Sequence, residues 1–169
     1  MARERAAGAA RTREQELSLS ATLADFTCPG LIIPALRGCQ AAEVIAELSQ
    51  ALCRQGCIPD PLAFCEAVMK RESLATTELE AGMAFPHARL PELKALSFAL
   101  GRSSEPLPWS AGAARSVRLV FLLAVPADDS GQYLRLISGL ARLTRERQFL
   151  EDIHAAPDAI HLFEALHRI

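Results

Sequence analysis

This chain of 169 residues has few of the side chains that carry most protein chemistry. It contains four histidines, one tyrosine, one tryptophan, and only two lysines among its 18 basic residues. Any reaction assigned to it falls to a short roster. Neither charge sign dominates. The 18 basic and 20 acidic side chains leave a formal charge of −2 with histidine neutral, which argues against nucleic-acid binding by bulk charge. Long apolar runs are also missing. The longest stretch free of charge, Phe26 to Leu36, spans eleven residues and contains Pro29 and Pro34. A membrane-spanning helix needs about 20 apolar residues, so no membrane insertion is expected. Met1 to Ser20 is rich in Ala, Arg and Glu and has no apolar segment of the kind a secretory signal uses. Cytoplasmic location is the expectation. What the chain does have is apolar mass: half of its residues are hydrophobic and 22% are charged, so a packed core is expected and disorder is not.

The five cysteines, Cys28, Cys39, Cys53, Cys57 and Cys65, all fall in the first 65 residues. Cys53 and Cys57 are separated by three residues, which is not a zinc-knuckle spacing, and no histidine lies nearby in sequence. Cys53 and Cys65 sit where helical patterns want small apolar residues. Reduced, mostly buried thiols are the expectation, with a metal or redox role as the alternative. No metal and no cofactor are expected.

Residues 1–20 hold four arginines and three glutamates without a stripe, and read as an N-terminal extension, frayed or disordered. One domain is expected over residues 21–169. Leu31-Ile32-Ile33 between Gly30 and Pro34 suggests a short strand. Ala41 to Cys53 reads as a helix, because Ala41, Val44, Ile45, Leu48 and Leu52 follow helical spacing and Gly56 can end it. Asp60-Pro61 reads as a cap and first helical residue of a second helix, through about Met69. Thr76-Thr77 and Met83-Ala84-Phe85 look extended, the latter ending at Pro86. Ala95 to Leu100 is a strand candidate ended by Gly101, and Glu105 to Ala114 an irregular excursion. Val117 to Val125 is the clearest strand, with no polar residue from Leu119 on, as a strand covered on both faces requires. Helices are expected from Gln132 to Leu143 and from Asp158 onward, the latter with a stripe of Ile160, Phe163 and Leu166, and a turn or short helix at Phe149 to His154. The fold class is α/β: a single domain with a mixed β-sheet flanked by helices on both faces.

Of the four histidines, His154, His161 and His167 lie in the C-terminal helical region. The spacing of His161 and His167 does not put them on one face, and none has the i, i+4 partner of a two-histidine metal face. His87 differs. It follows an extended apolar stretch and Pro86, and precedes Ala88-Arg89-Leu90-Pro91, a setting expected to be a loop just past a strand end. Imidazole titrates near neutrality, so much of it is unprotonated and nucleophilic at cell pH. A phosphoryl group on it would need donors or positive charge for three oxygens. Arg89, Arg71 and Thr77 are close enough in sequence to supply them. Spacing alone also allows an ordinary capped loop residue. Arg135, Arg142, Arg145 and Arg147 read as a solvated helix face, so no nucleic-acid partner is expected.

Arg71-Glu72, Thr77 and the run Gly82-Met83-Ala84-Phe85-Pro86-His87-Ala88-Arg89 resemble the active-site stretch of the fructose/mannitol and nitrogen-regulatory IIA proteins of the bacterial phosphotransferase system. The separation of 16 residues from Arg71 to His87 suits that family. The resemblance extends over roughly residues 22–168, through Leu100-Gly101-Arg102, the Val117-to-Pro126 strand, the Asp128-to-Leu136 loop and helix start, and Leu140-Ala141-Arg142-Leu143. It implies a phosphocarrier of mixed β-sheet fold. In it His87 accepts a phosphoryl group from an HPr-like carrier, or its nitrogen-branch counterpart, and passes it to a IIB domain or signals to a regulatory protein. It implies Arg71 as the phosphate-stabilising arginine and Thr77 as a weaker support. Arg89, two residues past His87, is expected to bind a partner.

Two departures stand out. Tyr133, the only tyrosine, falls where the family carries a second histidine. A phenol donates a hydrogen bond but does not become cationic near neutral pH. Glu78 and Glu80 replace glycines expected after Thr77. Solvent-facing carboxylates there would do little, whereas carboxylates aimed at His87 would repel a phosphoryl group; the solvent-facing arrangement is expected. The absence of an attached membrane or IIB segment tilts the reading toward the regulatory branch. The alternatives are a IIA-like protein-binding regulator with weakened phosphotransfer, and an unrelated α/β binding protein.

Overall fold

The central strand of the fold is the most apolar stretch of the sequence. In the computed structural model, which describes residues 22–79, 82–110, 117–129 and 131–167, β6 (Val117–Pro126) carries most of the sheet's pairings. The expected N-terminal extension and Glu80 lie outside the described residues. Along β6, Leu119, Phe121, Leu123 and Val125 point into one core, and Val120, Leu122 and Ala124 into the other. All seven are fully buried. Period-two alternation with no polar side is what a strand sandwiched between two helical layers demands. Each such leucine or phenylalanine contributes about 1.5–3 kcal/mol by leaving water.

Among the described residues six strands form one mixed sheet. β1 (Ile32–Ile33) runs parallel to β5 (Ser97–Leu107), which pairs antiparallel with β6. On the other edge of β6, β3 (Met83–Ala84) and β4 (His87–Leu90) both run parallel to it, one after the other. β2 (Glu78–Leu79) pairs antiparallel with β3. The Glu78–Ala84 hairpin is closed with Gly82 at φ 71°, a left-handed conformation that glycine adopts without strain.

Among the described residues two α-helices cover one face: α1 (Ala41–Arg54) and α2 (Pro61–Leu74). Three cover the other: α3 (Gly131–Leu143), α4 (Arg147–Ala155) and α5 (Ala159–Leu166). The caps foreseen from sequence are present. Gly56, at φ 72°, ends α1, with its N–H on the Cys53 carbonyl and the Cys57 N–H on the Leu52 carbonyl, both at 2.9 Å. The Asp60 carboxylate accepts from the N–H groups of Leu62 and Ala63 at 2.9 and 3.1 Å. Asp158 does the same for His161 at 3.0 Å. The layers are also laced together: Arg102 on β5 donates to the carbonyls of Ile153 (2.7 Å) and Ala156 (2.8 Å) at the end of α4, and to Pro34 (3.1 Å) beyond β1.

Several expectations are corrected. β5 does not stop at Gly101 but runs on to Leu107, with an irregularity between Arg102 and Leu107. Gly101 is a packing glycine: a Cβ there would lie 2.7 Å from Leu36 Cδ2, so its hydrogen lets Leu36 close over the strand. α2 continues past Met69 to Leu74, since no breaker interrupts it. On α5 the buried positions are Leu162, Ala165 and Leu166, whereas Ile160 is exposed, so the helix is rotated from the expected stripe. The cysteines are free, as expected, but none is fully buried: Cys39 is exposed and the other four are half-buried.

Candidate phosphoryl-transfer site

α2 buries Phe64 and Val68 against the sheet. Arg71 and Glu72 follow Val68 at i+3 and i+4, the positions that continue the same helical face. The stripe therefore brings two opposite charges to the sheet, where α2 packs against β4. His87 is the first residue of β4, paired with Leu123, and is not in a loop as the sequence suggested. Pro86 lacks an N–H, yet its carbonyl accepts from the Leu123 N–H at 2.9 Å, so the strand resumes beyond it. The histidine is thus held by sheet backbone on a strand whose other edge has no partner among the described residues.

The His87 ring is half-buried and has two polar neighbours. Nδ1 lies 3.1 Å from the Phe85 carbonyl oxygen. A carbonyl only accepts, so Nδ1 carries the hydrogen and Nε2 the lone pair. Nε2 lies 3.5 Å from the Tyr133 hydroxyl, a long contact, with the ring centroids 5.7 Å apart. Burial holds the His87 pKa below the ordinary histidine value. The Phe85 carbonyl opposes that shift, Arg71 adds to it, Glu72 opposes it, and Arg89 adds to it. The ring is accordingly neutral, with a free lone pair, at neutral pH.

Arg71, Leu74, His87 and Arg89 line an open cleft of about 350 Å³. The Arg71 guanidinium donates to the Ala75 carbonyl at 3.1 Å, which ties it to the end of α2. Arg89, expected to face a partner, also works within the chain. Its guanidinium carbon sits 4.4 Å from the centroid of the Tyr133 ring, and Nη1 donates to the Asp129 carbonyl at 3.2 Å. Asp129 in turn accepts from the Gln132 N–H at the start of α3 at 2.9 Å. Thr77 makes no hydrogen bond to His87 among the described residues. Its hydroxyl donates to Glu72 Oε2 at 2.7 Å and its N–H to Glu72 Oε1 at 2.8 Å.

Glu72, which the sequence offered only as half of the Arg71-Glu72 pair and without a role, is a hub. Besides Thr77, it accepts from the Trp109 indole N–H at 2.9 Å and the Thr76 hydroxyl at 3.3 Å. The available signal was its place one residue after Arg71 on the buried face of a helix, where an unpaired carboxylate would be costly. The expectation for Glu78 is corrected. It is buried, with Oε2 accepting from the Ser110 hydroxyl at 3.0 Å and Oε1 without a hydrogen-bond partner. Leu79 takes the exposed position on β2 instead, because the 109–110 segment folds over the Thr77–Glu78 side.

The remaining histidines are occupied elsewhere: His161 Nδ1 pairs with Asp158 at 2.7 Å, His167 Nδ1 donates to the Phe163 carbonyl at 3.2 Å, and His154 lies near Arg102 and Arg118. Arg135, Arg142, Arg145 and Arg147 are exposed. No group of three or more metal-ligating side chains is clustered among the described residues, and no helix among them is long and apolar enough to cross a membrane.

These features can be set beside known proteins. Residues 27–169 match the family described as phosphoenolpyruvate-dependent sugar phosphotransferase system, EIIA 2. The chain is 28% identical over 144 residues to the nitrogen regulatory protein of Bradyrhizobium diazoefficiens, covering 85% of this chain and 94% of that one. It is 34% identical over 126 residues to the 2-O-alpha-mannosyl-D-glycerate-specific EIIABC component of Escherichia coli, covering 73% of this chain and 19% of that longer one. Among solved structures, the nitrogen regulatory protein IIA-Ntr of Neisseria meningitidis superposes with a TM-score of 0.77 at 24% identity, over 85% of this chain and 97% of the other. The Escherichia coli complex of enzyme IIAMTL with phosphorylated enzyme IIBMTL gives 0.70 at 17% identity, over 83% and 96%. The sheet with its two helical layers and the extent of the sequence match agree: this chain belongs to the EIIA type-2 family of the phosphoenolpyruvate-dependent sugar phosphotransferase system.

Proposed function

We propose that this chain is a phosphocarrier in which His87 Nε2 accepts a phosphoryl group from the phosphohistidine of an HPr-like protein. The observation that carries this is the Nδ1–H···O=C bond to Phe85, which commits the lone pair to Nε2, the nitrogen beside the Tyr133 hydroxyl. Nε2 attacks phosphorus in line with the leaving group. The bond from phosphorus to the donor's nitrogen breaks, and its electron pair returns to the donor imidazole. The bond to Nε2 forms, and the proton on Nδ1 stays where it is. The positive charge the His87 ring then acquires is supported by the Phe85 carbonyl. Arg71, at the cleft, offsets the negative charge on the transferring group. Tyr133 donates its hydroxyl hydrogen to a phosphoryl oxygen in place of Nε2. Thr77 contributes through Glu72, by holding the segment before the hairpin.

The group then passes to a IIB domain or its presence is read by a regulatory target. The similarity to a protein named for nitrogen regulation along 94% of that protein's length supports the regulatory use. The complex of a IIA of like fold with a phosphorylated IIB supports the transfer partner. Free thiols and the phosphotransferase setting support a cytoplasmic site of action. Leu74, exposed at the rim of the cleft, offers a partner an apolar contact.

Incubation with phosphoenolpyruvate, enzyme I and HPr-type carriers is expected to label the chain once, with an acid-labile bond, and His87→Ala to abolish the label. Absence of label from several HPr-type donors overturns the reading and leaves a IIA-like binding regulator that uses the same face.

A further inference from the structure

Arg89 makes no hydrogen bond to His87 among the described residues and instead holds the acceptor's neighbour. Its guanidinium lies on the face of the Tyr133 ring, 4.4 Å from the centroid, and is fastened beyond the ring to the Asp129 carbonyl at 3.2 Å. A cation on a ring face at this range is attracted by the ring's negative quadrupole. The Asp129 carbonyl belongs to the loop that leads into α3, the helix that carries Tyr133. Arg89 therefore grips both the ring and the loop before it, from a strand two residues past the acceptor. Among the described residues, the Tyr133 hydroxyl has no hydrogen bond to hold it beyond the 3.5 Å contact with Nε2. A phenol set only by that contact would have freedom to swing, because a contact at this length is weak.

We propose that Arg89 is a positioning residue for phosphoryl transfer that acts through Tyr133. The guanidinium pins the ring so that the hydroxyl stays over Nε2, and its permanent charge polarises the O–H toward the incoming phosphoryl oxygens. This rests on the phosphocarrier reading of the site and adds the role of one residue to it. The other charged groups at the acceptor, Arg71 and Glu72, come from α2 on the opposite layer and do not share this path.

A double-mutant cycle on transfer from an HPr-type phosphodonor tests it. Arg89→Gln and Tyr133→Phe are each expected to lower kcat about tenfold, the scale of one hydrogen bond to a charged group, with the donor's KM within about twofold. The double variant is expected to be no slower than the slower single one, since the two side chains act as one unit. Arg89→Lys, which keeps a cation over the ring, is expected to recover most of the rate. Effects that multiply in the double variant overturn the proposal, as does an Arg89→Gln change confined to KM, the mark of a partner contact. A second measurement needs no donor: the nuclear Overhauser effect between the rings of His87 and Tyr133 in the unphosphorylated chain. It is expected to vanish in Arg89→Gln and survive in Arg89→Lys, and its survival in Arg89→Gln overturns the proposal. Failure of the wild-type chain to accept phosphate, with that effect present and dependent on Arg89, overturns the phosphocarrier reading and keeps the pinning role of Arg89.

Discussion

The two helical layers are braced in different ways beside His87. On the α2 side, one carboxylate is saturated: Glu72 accepts from the Thr77 N–H and hydroxyl, the Thr76 hydroxyl and the Trp109 indole. On the α3 side, one hydroxyl at 3.5 Å and one stacked guanidinium make up the contact. The first side is braced by hydrogen bonds with defined directions. The second is held by a ring-face attraction and one hydrogen bond, from Arg89 to the Asp129 carbonyl at 3.2 Å. In the proposed transfer, an acceptor that must receive a group and release it benefits from this division. The β4 backbone and the Phe85 carbonyl keep the imidazole in place, and Arg89 keeps the Tyr133 hydroxyl beside Nε2, where the phosphoryl oxygens of the proposed transfer would arrive.

The largest test of this difference is Glu72→Ala. Removing the carboxylate strands the Thr77 N–H and the Trp109 indole N–H, and is expected to cost about 2–3 kcal/mol in denaturant unfolding. Trp109 is the only tryptophan, so its emission reports the loss at the site itself. A cost near zero would show that the α2 side is no better braced than the α3 side.

Next is pH. Burial and the Arg71 charge hold the His87 pKa below the ordinary histidine value. Between the folded and the ordinary value, the unfolded chain binds the proton more readily, so acid destabilises the fold through this group and the contribution is intact above that range. In the proposed transfer the neutral ring is also the nucleophile. Labelling is expected to hold steady from pH 8 to pH 7 and to fall only as pH drops through the folded pKa, below that of a free histidine. An NMR titration of the His87 ring checks the midpoint, and a midpoint above the ordinary value would refute burial as the dominant influence on the ring. Arg71→Gln is expected to move it upward.

The smallest effect falls on the α3 side. Tyr133→Phe keeps the ring and its cation and removes only a long hydroxyl contact, so stability is expected to change by about 0.5 kcal/mol or less. A loss comparable to that of Glu72→Ala would erase the distinction between the two sides.

Much of this fold could be read from residue order. The unbroken apolar run at Leu119 to Val125 announced a strand covered on both faces, and Asp60-Pro61, Gly56 and Asp158 marked helix ends through local backbone chemistry. Gly101 misled because its local signal is that of a strand breaker. Its actual reason, room for Leu36, comes from a residue 65 positions earlier in the chain. His87 was legible as the candidate chemical residue but not as the start of a strand. Pro86 looks like a terminus locally, and only the edge of β6 allows pairing to resume beyond it. Glu72 was visible as half of a charged pair, whereas its four donors come from two segments, one of them 37 residues away.

By itself, the sequence determined the period of each apolar stripe, the short list of reactive side chains and the motif that joins Arg71, Glu72 and His87. Those properties depend on residues within a few turns or strands of one another, where backbone geometry alone sets which side chains share a face. Tertiary structure decided the rest. The tautomer of His87 follows from where the Phe85 carbonyl lies. The placement of Arg89 on Tyr133, 44 positions further along, follows from the way β4 and α3 meet across the sheet edge. Hydrogen bonds and ring contacts act over a few ångströms in space with no regard for separation along the chain, so packing alone could bring them together.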